Sequence, residues 1–392
     1  MKKIYLDDSY QQICQTQITS QNYDGNDYYV TLAETIIYPG GGGQPADLAW
    51  INDKKVLAIK ESKESEEVRY YLENPLPDTA VTVKIDWQRR FDFMQQHTGQ
   101  HLFARACENL FAADIRQEQI TENDSFFEIS GQQLSEKELQ RAIVQSNQII
   151  QAHRQVKILY PAADQLTSLP HLTHPPTYFL GLRLIAVDGF DTIGCGGTHV
   201  RNTSEIQIIL LDKIKHTKKG TTVHFSCGNR AAKNYQTQQE LIQEAISSAN
   251  ISVDELPQFI STQQQEIKGL KDRLAVFQLQ ELVDNGNQRT PHFVVSHGDK
   301  IDGKLLRQAA QQLAEKTPNA LIAVFTEEDE ILRYHLRIAS ADKLSVRELI
   351  QTINRQLSGK GGGSPVMGDG TVPLDHKEEF LTLAETASEK LR

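Results

Sequence analysis

Short alternating runs of apolar and polar residues fill the first 86 positions, as at 28–32 (Tyr-Tyr-Val-Thr-Leu) and 81–85 (Val-Thr-Val-Lys-Ile), with Asn, Asp, Gly and Pro between them. A period of two broken by turn residues predicts a small antiparallel β-barrel or sandwich. From 87 to 112 the rhythm changes: Trp87, Phe91, Met94, His97 and His101 recur at steps of three and four, the spacing of one helix face. Strands are expected at 115–120 and 125–129. A helix should follow from Ser135 toward His153, because Ser135 and Glu138 have the spacing of a capping box. Further strands near 156–160 and 182–187, joined by a Pro-rich connection, lead to a Gly-Cys-Gly-Gly turn. Two more, at 206–212 and 221–227, enclose a turn rich in lysine.

Between about 230 and 285 glycines are few and Gln and Glu dominate, which predicts two helices broken at Asn250-Ile-Ser. Leu256, Ile267, Leu270, Leu274 and Phe277 fit a seven-residue repeat interrupted by Gln263, the pattern of a helical hairpin or a dimerising coil. From 291 onward a compact α/β unit is legible, with strands at 292–296, 320–325 and 331–338 and helices at 303–316 and 345–357. A glycine-rich loop at 359–370 and a last helix complete it. The chain is therefore expected to be an α+β multidomain protein in four parts: a β-barrel (1–86), an α/β domain (87–230), a helical hairpin (231–286) and a C-terminal α/β domain (287–392).

Length agrees with several domains, since 392 residues exceed what one core usually serves. Aspartates interrupt the N-terminus before any signal-like apolar run, and no segment approaches a membrane span, so a cytoplasmic protein is expected. Four scattered cysteines, at 14, 107, 195 and 227, suit a reducing compartment. The net charge of −10 argues against non-specific nucleic-acid binding but leaves room for a local basic face. Lys213, Lys215, Lys218 and Lys219, with Arg230 close behind, are the densest candidate. A solvated hairpin turn is the ordinary reading of the same residues.

Candidate chemistry gathers in three places. His97-Thr-Gly-Gln-His101 puts two imidazoles on one helix face, and Cys195-Gly-Gly-Thr-His199 offers a thiolate and a third imidazole from a glycine-rich turn. A Cys and three His suit Zn2+ in softness and number. The second place is Gly40 to Gly43 followed by Gln44, four glycines that free the backbone to lie against a partner. The third, Lys360-Gly-Gly-Gly-Ser364, could cradle a phosphate but lacks the spacing of a nucleotide-binding P-loop.

In their order and spacing, the glycine run ending at Gln44, the His97/His101 pair and Cys195-x3-His199 resemble the free-standing alanyl-tRNA editing proteins, the AlaX group in its long form, and the editing part of alanyl-tRNA synthetase. The segment from 291 to 392, with Lys360 and its glycines, is similar to the DHH-associated domain that closes the long members. The resemblance implies zinc held by His97, His101, Cys195 and His199, and an editing pocket shaped by Gly41 to Gln44. The implied reaction is hydrolysis of serine, with glycine second, from mischarged tRNA for alanine. It implies tRNA contact by the C-terminal module and dimerisation through the helices before it, although packing within the chain accounts for 231–286 equally well. No charging activity is expected, because the editing-type barrel would begin at residue 1.

An aminoacyl ester is already activated, so such a site needs a Lewis acid, a positioned water and a way to exclude alanine. Zinc could lower the pKa of a water or orient the substrate's amino group. Rejecting alanine requires a buried hydrogen-bonding group that goes unpaired when the serine hydroxyl is missing. Gln44, Thr198 and Gln119 are candidates for it. A tRNA-binding or scaffolding protein with a purely structural zinc is the competing reading, and a zinc hydrolase of small esters is a third. His153, His171, His174, His292, His297, His335 and His376 are read as ordinary core or surface residues.

Overall fold

Asp86 accepts the Arg89 N–H at 3.1 Å and so starts helix α1, Trp87–Phe111, which ends where Ala112 turns left-handed at φ 51°. The computed structural model describes residues 1–61, 67–172 and 182–392; His174 and much of the Pro-rich connection lie outside the described residues. Two compact units result, Met1–Ala245 and Ile246–Arg392, whereas the sequence suggested boundaries after 86, 230 and 286.

Ahead of α1 lies a seven-stranded sheet in the order Lys54–Lys55, Ala49–Ile51, Ala80–Ile85, Ile13–Tyr23, Tyr28–Leu32, Val68–Leu72, Ala58–Glu61. Its edge strands are consecutive in the chain. Between them the Val56 N–H donates to Ala49 O at 2.9 Å and the Leu57 N–H to Tyr71 O at 2.8 Å, so the sheet curls until one segment bridges both edges. Val30, Leu32, Ile51, Tyr70 and Val83 fill its interior.

After α1 comes a four-stranded antiparallel sheet, in the order Asp114–Ile120, Ser125–Ser130, Gly220–Cys227, Ile209–Thr217. One face packs on α1 and on helix α2, Glu136–Gln151, through Phe103, Phe127, Ile143 and Phe225. The expected capping box is present: Ser135 and Glu138 satisfy each other's backbone N–H. A three-stranded sheet of Val156–Leu159, Leu184–Val187 and Asp191–Gly194 carries the chain to the cysteine turn. Helix α3, Gly228–Ala249, follows the four-stranded sheet directly.

In the second unit helix α4, Leu256–Asp284, leads into a six-stranded mixed sheet. The end of α4, with Leu282 and Val283, and helix α5, Gly303–Lys316, cover one face. Helices α6, Val346–Gln356, and α7, Lys377–Ser388, cover the other. The expected glycine-rich loop is a β-hairpin. Lys360–Gly363 is the edge strand and pairs with Met367–Pro373. A Cβ on Gly363 would collide with Met367 O, so its glycine permits close strand approach rather than looseness. On α4 the repeat positions Ile267, Leu270, Leu274 and Phe277 are 51–72% exposed. No helix among the described residues is long and apolar enough to cross a membrane.

One buried pair ties the glycine-rich segment to α1. Arg90, fully buried, donates through Nε to Asp47 Oδ1 at 2.9 Å and through Nη2 to Oδ2, with further bonds to Ser9 O (2.9 Å) and Ile36 O (2.7 Å). Asp47 Oδ2 also accepts the Tyr38 N–H at 2.7 Å. Removing one partner of such a pair strands the other's charge in the interior. Asp47→Ala is therefore expected to cost about 3–5 kcal/mol in denaturant unfolding followed by fluorescence. Both tryptophans, Trp50 and Trp87, report on this unit, and an unchanged midpoint would show that the pair is not a tether.

Candidate metal centre

Helix α1 buries a run of polar residues, from Gln95 to His101, that sequence alone would place at the surface. Most find partners in other segments, although Gln95 Oε1 has none among the described residues. Gln96 pairs with the Cys227 backbone at both ends of its amide, at 3.0 and 2.9 Å, and Gln100 donates to Phe126 O at 3.1 Å. Gln95 donates to Glu205 O at 2.7 Å. Fixed in this way, His97 and His101 face the turn that follows strand Asp191–Gly194.

There the donor atoms of His97, His101, Cys195 and His199 all lie within 4.8 Å of one another. The three imidazoles are 2–5% exposed and their ring centroids are 4.5–4.9 Å apart. Cys195 Sγ stands 3.4 Å from His97 Nε2 and 3.2 Å from His199 Nε2. Ligands on one tetrahedral Zn2+, with Zn–S of about 2.3 Å and Zn–N of about 2.0–2.1 Å, would place sulfur and nitrogen about 3.5 Å apart. The residues fit the ion. Gly197 lies against His97, where a Cβ would meet Nδ1 at 2.5 Å, so the turn can close on the ring only with glycine there.

The hydrogen bonds behind the rings fix their tautomers. Gln44 Oε1 accepts the Thr198 backbone N–H at 3.1 Å and therefore also accepts from His97 Nδ1, at 2.9 Å. Gln44 Nε2 donates to Thr198 Oγ1 at 2.7 Å. Thr98 Oγ1 gives its proton to Met94 O at 2.8 Å and accepts the Val200 N–H at 3.2 Å, so His199 Nδ1 at 3.2 Å is a donor to it. Both Nε2 atoms are thus left as lone pairs facing the cysteine, the orientation that hydrogen-bond partners behind a ring give to metal ligands. Burial is the main cause that holds all three imidazoles neutral: His97 and His199 are far below the usual range and His101 falls to about 4. Burial also pushes the Cys195 thiol up to about 11.

Arg183, which sequence reasoning missed, clamps the turn by donating to Cys195 O at 2.6 Å and Gly197 O at 3.0 Å. A single arginine ahead of an apolar strand gave no signal of this. Beside the cluster a cavity of about 80 Å3 is lined by His101, Arg105, Arg116, Glu118 and Asp191.

Residues 290–390 match the DHHA1 domain family, and residues 182–223 match the family described as threonyl and alanyl tRNA synthetase second additional domain. The chain is 25% identical to the alanyl-tRNA editing protein AlaX-L of Pyrococcus horikoshii, over 100% of this chain and 98% of that one. The resemblance to alanyl-tRNA editing proteins holds along the whole chain. With the alanyl-tRNA editing protein Aarsd1 of Mus musculus it shares 33% identity over 53% of this chain and 50% of that one, so here the match spans about half of each protein. With the alanine-tRNA ligase of Methanoregula boonei it shares 26% over 95% of this chain and 42% of the ligase.

Gln44 and Thr198 sit beside the four donors, 3% and 0% exposed, but their polar atoms bond to each other and to His97. Gln119 is exposed. Lys213, Lys215, Lys218 and Lys219 are exposed on the four-stranded sheet and its turn. Arg230 is not among them: 9% exposed, it is tied to Asp92 and to Ser125 Oγ at 3.2 Å, and it leaves the basic face for the protein interior. Lys360 is exposed on the edge strand of the second unit.

Metal binding should expose these assignments. Wild-type protein is expected to purify with one zinc and Cys195→Ala and His97→Ala without it, and full occupancy in either variant would remove that residue from the centre. Gln44→Ala keeps all four donors and should weaken zinc by roughly 10–100-fold in competition with a chelator. Because the imidazoles are already neutral and the thiol protonated, zinc uptake by metal-free protein near pH 7.5 should release about one proton, read by calorimetry in buffers of different ionisation enthalpy. Release near zero would mean that Cys195 stays a thiol.

Proposed function

We propose that this chain hydrolyses the ester joining a wrong amino acid, serine first and glycine second, to the tRNA for alanine, acting in trans in the cytoplasm and without charging tRNA. The observation that carries the reading is a set of four donors, three of them buried, beside a cavity of about 80 Å3, in a chain similar end to end to an alanyl-tRNA editing protein. His97, His101, Cys195 and His199 would hold zinc. When bound, the ion supplies Lewis acidity to an ester carbonyl or to a water.

The other steps belong to the chain. Gln44 and Thr98 hold two imidazoles in the tautomer that binds metal, and Arg183 fixes the turn carrying Cys195. The cavity's measure corresponds to roughly five waters, which suits a small aminoacyl group and excludes a large side chain. Size cannot reject alanine, so discrimination falls to polar cavity groups such as Glu118 that lose a partner when the hydroxyl is absent. The exposed lysines at 213–219 would meet the acceptor end of the tRNA, and Lys360 on its hairpin a more distant part. The exposed apolar positions of α4 support a homodimer.

Four protein donors also suit a closed structural site, so the decisive experiment removes the metal. Chelated protein should keep its far-UV circular dichroism and lose release of serine from mischarged alanine tRNA, with activity returning on zinc addition; unfolding on chelation would favour the structural reading. A chain ending at Asn250, past α3, should keep its zinc while its KM for mischarged tRNA rises. Unchanged KM would remove the second unit from tRNA binding. Leu270→Lys with Leu274→Lys should yield a monomer by light scattering if α4 forms the dimer.

A further inference from the structure

The cavity beside the metal donors is too small for a nucleotide, so any RNA that delivers an ester to it must lie elsewhere and send only its end inward. Resting on the editing function proposed above, the geometry points to Arg116 as the residue over which the unpaired 3′ end passes.

Directly opposed residues of paired strands share a face of their sheet. In the four-stranded sheet Phe127, Ile129, Val223 and Phe225 pack inward. Glu128 opposes Thr222, and Lys215 also opposes Thr222, so these groups lie on the outer face. There a groove of about 560 Å3 is lined by Arg116, Glu128, Ser130, Lys218, Lys219 and Thr222, among others. The cavity next to His101 lies on the inner side, since Glu118, which lines it, opposes the core residue Phe127.

Arg116 borders both spaces. It belongs to Asp114–Ile120, the edge strand of the sheet, and sits where the register slips between Ile115 and Glu118. Such bulges re-aim side chains at sheet edges. Chain crossing from the outer groove to the inner cavity must go over this strand. The Arg116 side chain is 68% exposed and, among the described residues, pairs with Asp114 at 2.8 Å, itself 46% exposed. Exposed pairs of this kind contribute little, so a phosphate can take the guanidinium from Asp114 at small cost. Lys218 and Lys219 then hold the preceding phosphodiesters, Arg116 the last, and the acyl group drops toward His101. The occupant is a single strand, because contacts of this type follow the backbone and read no base.

The test compares two serine esters at matched zinc content: seryl-tRNA for alanine, and 3′-O-seryl adenosine, which has no phosphodiester. In Arg116→Glu the ratio of kcat/KM on the tRNA to that on the nucleoside ester should fall at least tenfold from wild type. Arg116→Ala should flatten the dependence of log kcat/KM on log salt for the tRNA by about 0.7, one single-strand phosphate contact. Lys218→Glu with Lys219→Glu should lower the same ratio. An unchanged ratio and slope in the Arg116 variants would overturn the path, as would an equal loss on both esters, which would confine Arg116 to contact with the acyl group. Wild-type protein inactive on both esters would overturn the editing function first and this path with it.

Discussion

A helix whose inner face is polar can be buried only when most groups on that face are paired, and this requirement organises the first unit. Along α1 the partners come from far apart in the chain: Asp47 for Arg90, Cys227 for Gln96, Gln44 for His97, Phe126 for Gln100. Each bond contributes only about 1 kcal/mol net, but an unmade one costs more. The curled sheet, the cysteine turn and the end of strand Gly220–Cys227 are therefore held to one helix by the same condition that fixes the metal ligands. Site and scaffold share their hydrogen bonds, so a change in one is transmitted to the other.

The elements were largely legible because period and punctuation agree. The strand Tyr28–Leu32 and the capped start of α2 follow from local rules alone. The four donors were also legible, since i,i+4 histidines and a Cys-x3-His turn carry their spacing in sequence. What failed was whatever depends on neighbours distant in the chain. Arg230 looked like part of a basic run until Asp92 and Ser125, more than a hundred residues earlier, surrounded it. Gly361 and Gly363 signalled a loop because local propensity cannot register a strand partner close enough to exclude a Cβ. Arg183 carries no pattern at all.

Gln44 illustrates a subtler limit. Its place beside the glycine run suggested contact with substrate, and polarity near a reactive centre invites that reading. Its amide, however, accepts from His97 and from the Thr198 backbone and donates to the Thr198 hydroxyl. A group so committed acts on the donor cluster through the orientation of an imidazole. The glycine run is committed in a similar way, because Gly43 O accepts the Ile120 N–H at 2.8 Å and so seats the run beside the strand that carries Glu118. Polar groups in contact with a small acyl group are then better sought on that strand than on the glycine run.

The chain's negative charge and a polyanionic partner are compatible when sign is separated by distance. At physiological ionic strength exposed charges more than about 8 Å apart are largely screened from one another. Lysines gathered on the outer face of one sheet therefore act locally, whatever the total of −10. Acidic surface elsewhere repels the backbone and disfavours wrong approaches, so net charge works for orientation rather than against binding. The same reasoning applies within the groove, where Glu128 lies among basic groups. One carboxylate there weakens non-specific retention of any polyanion on that face.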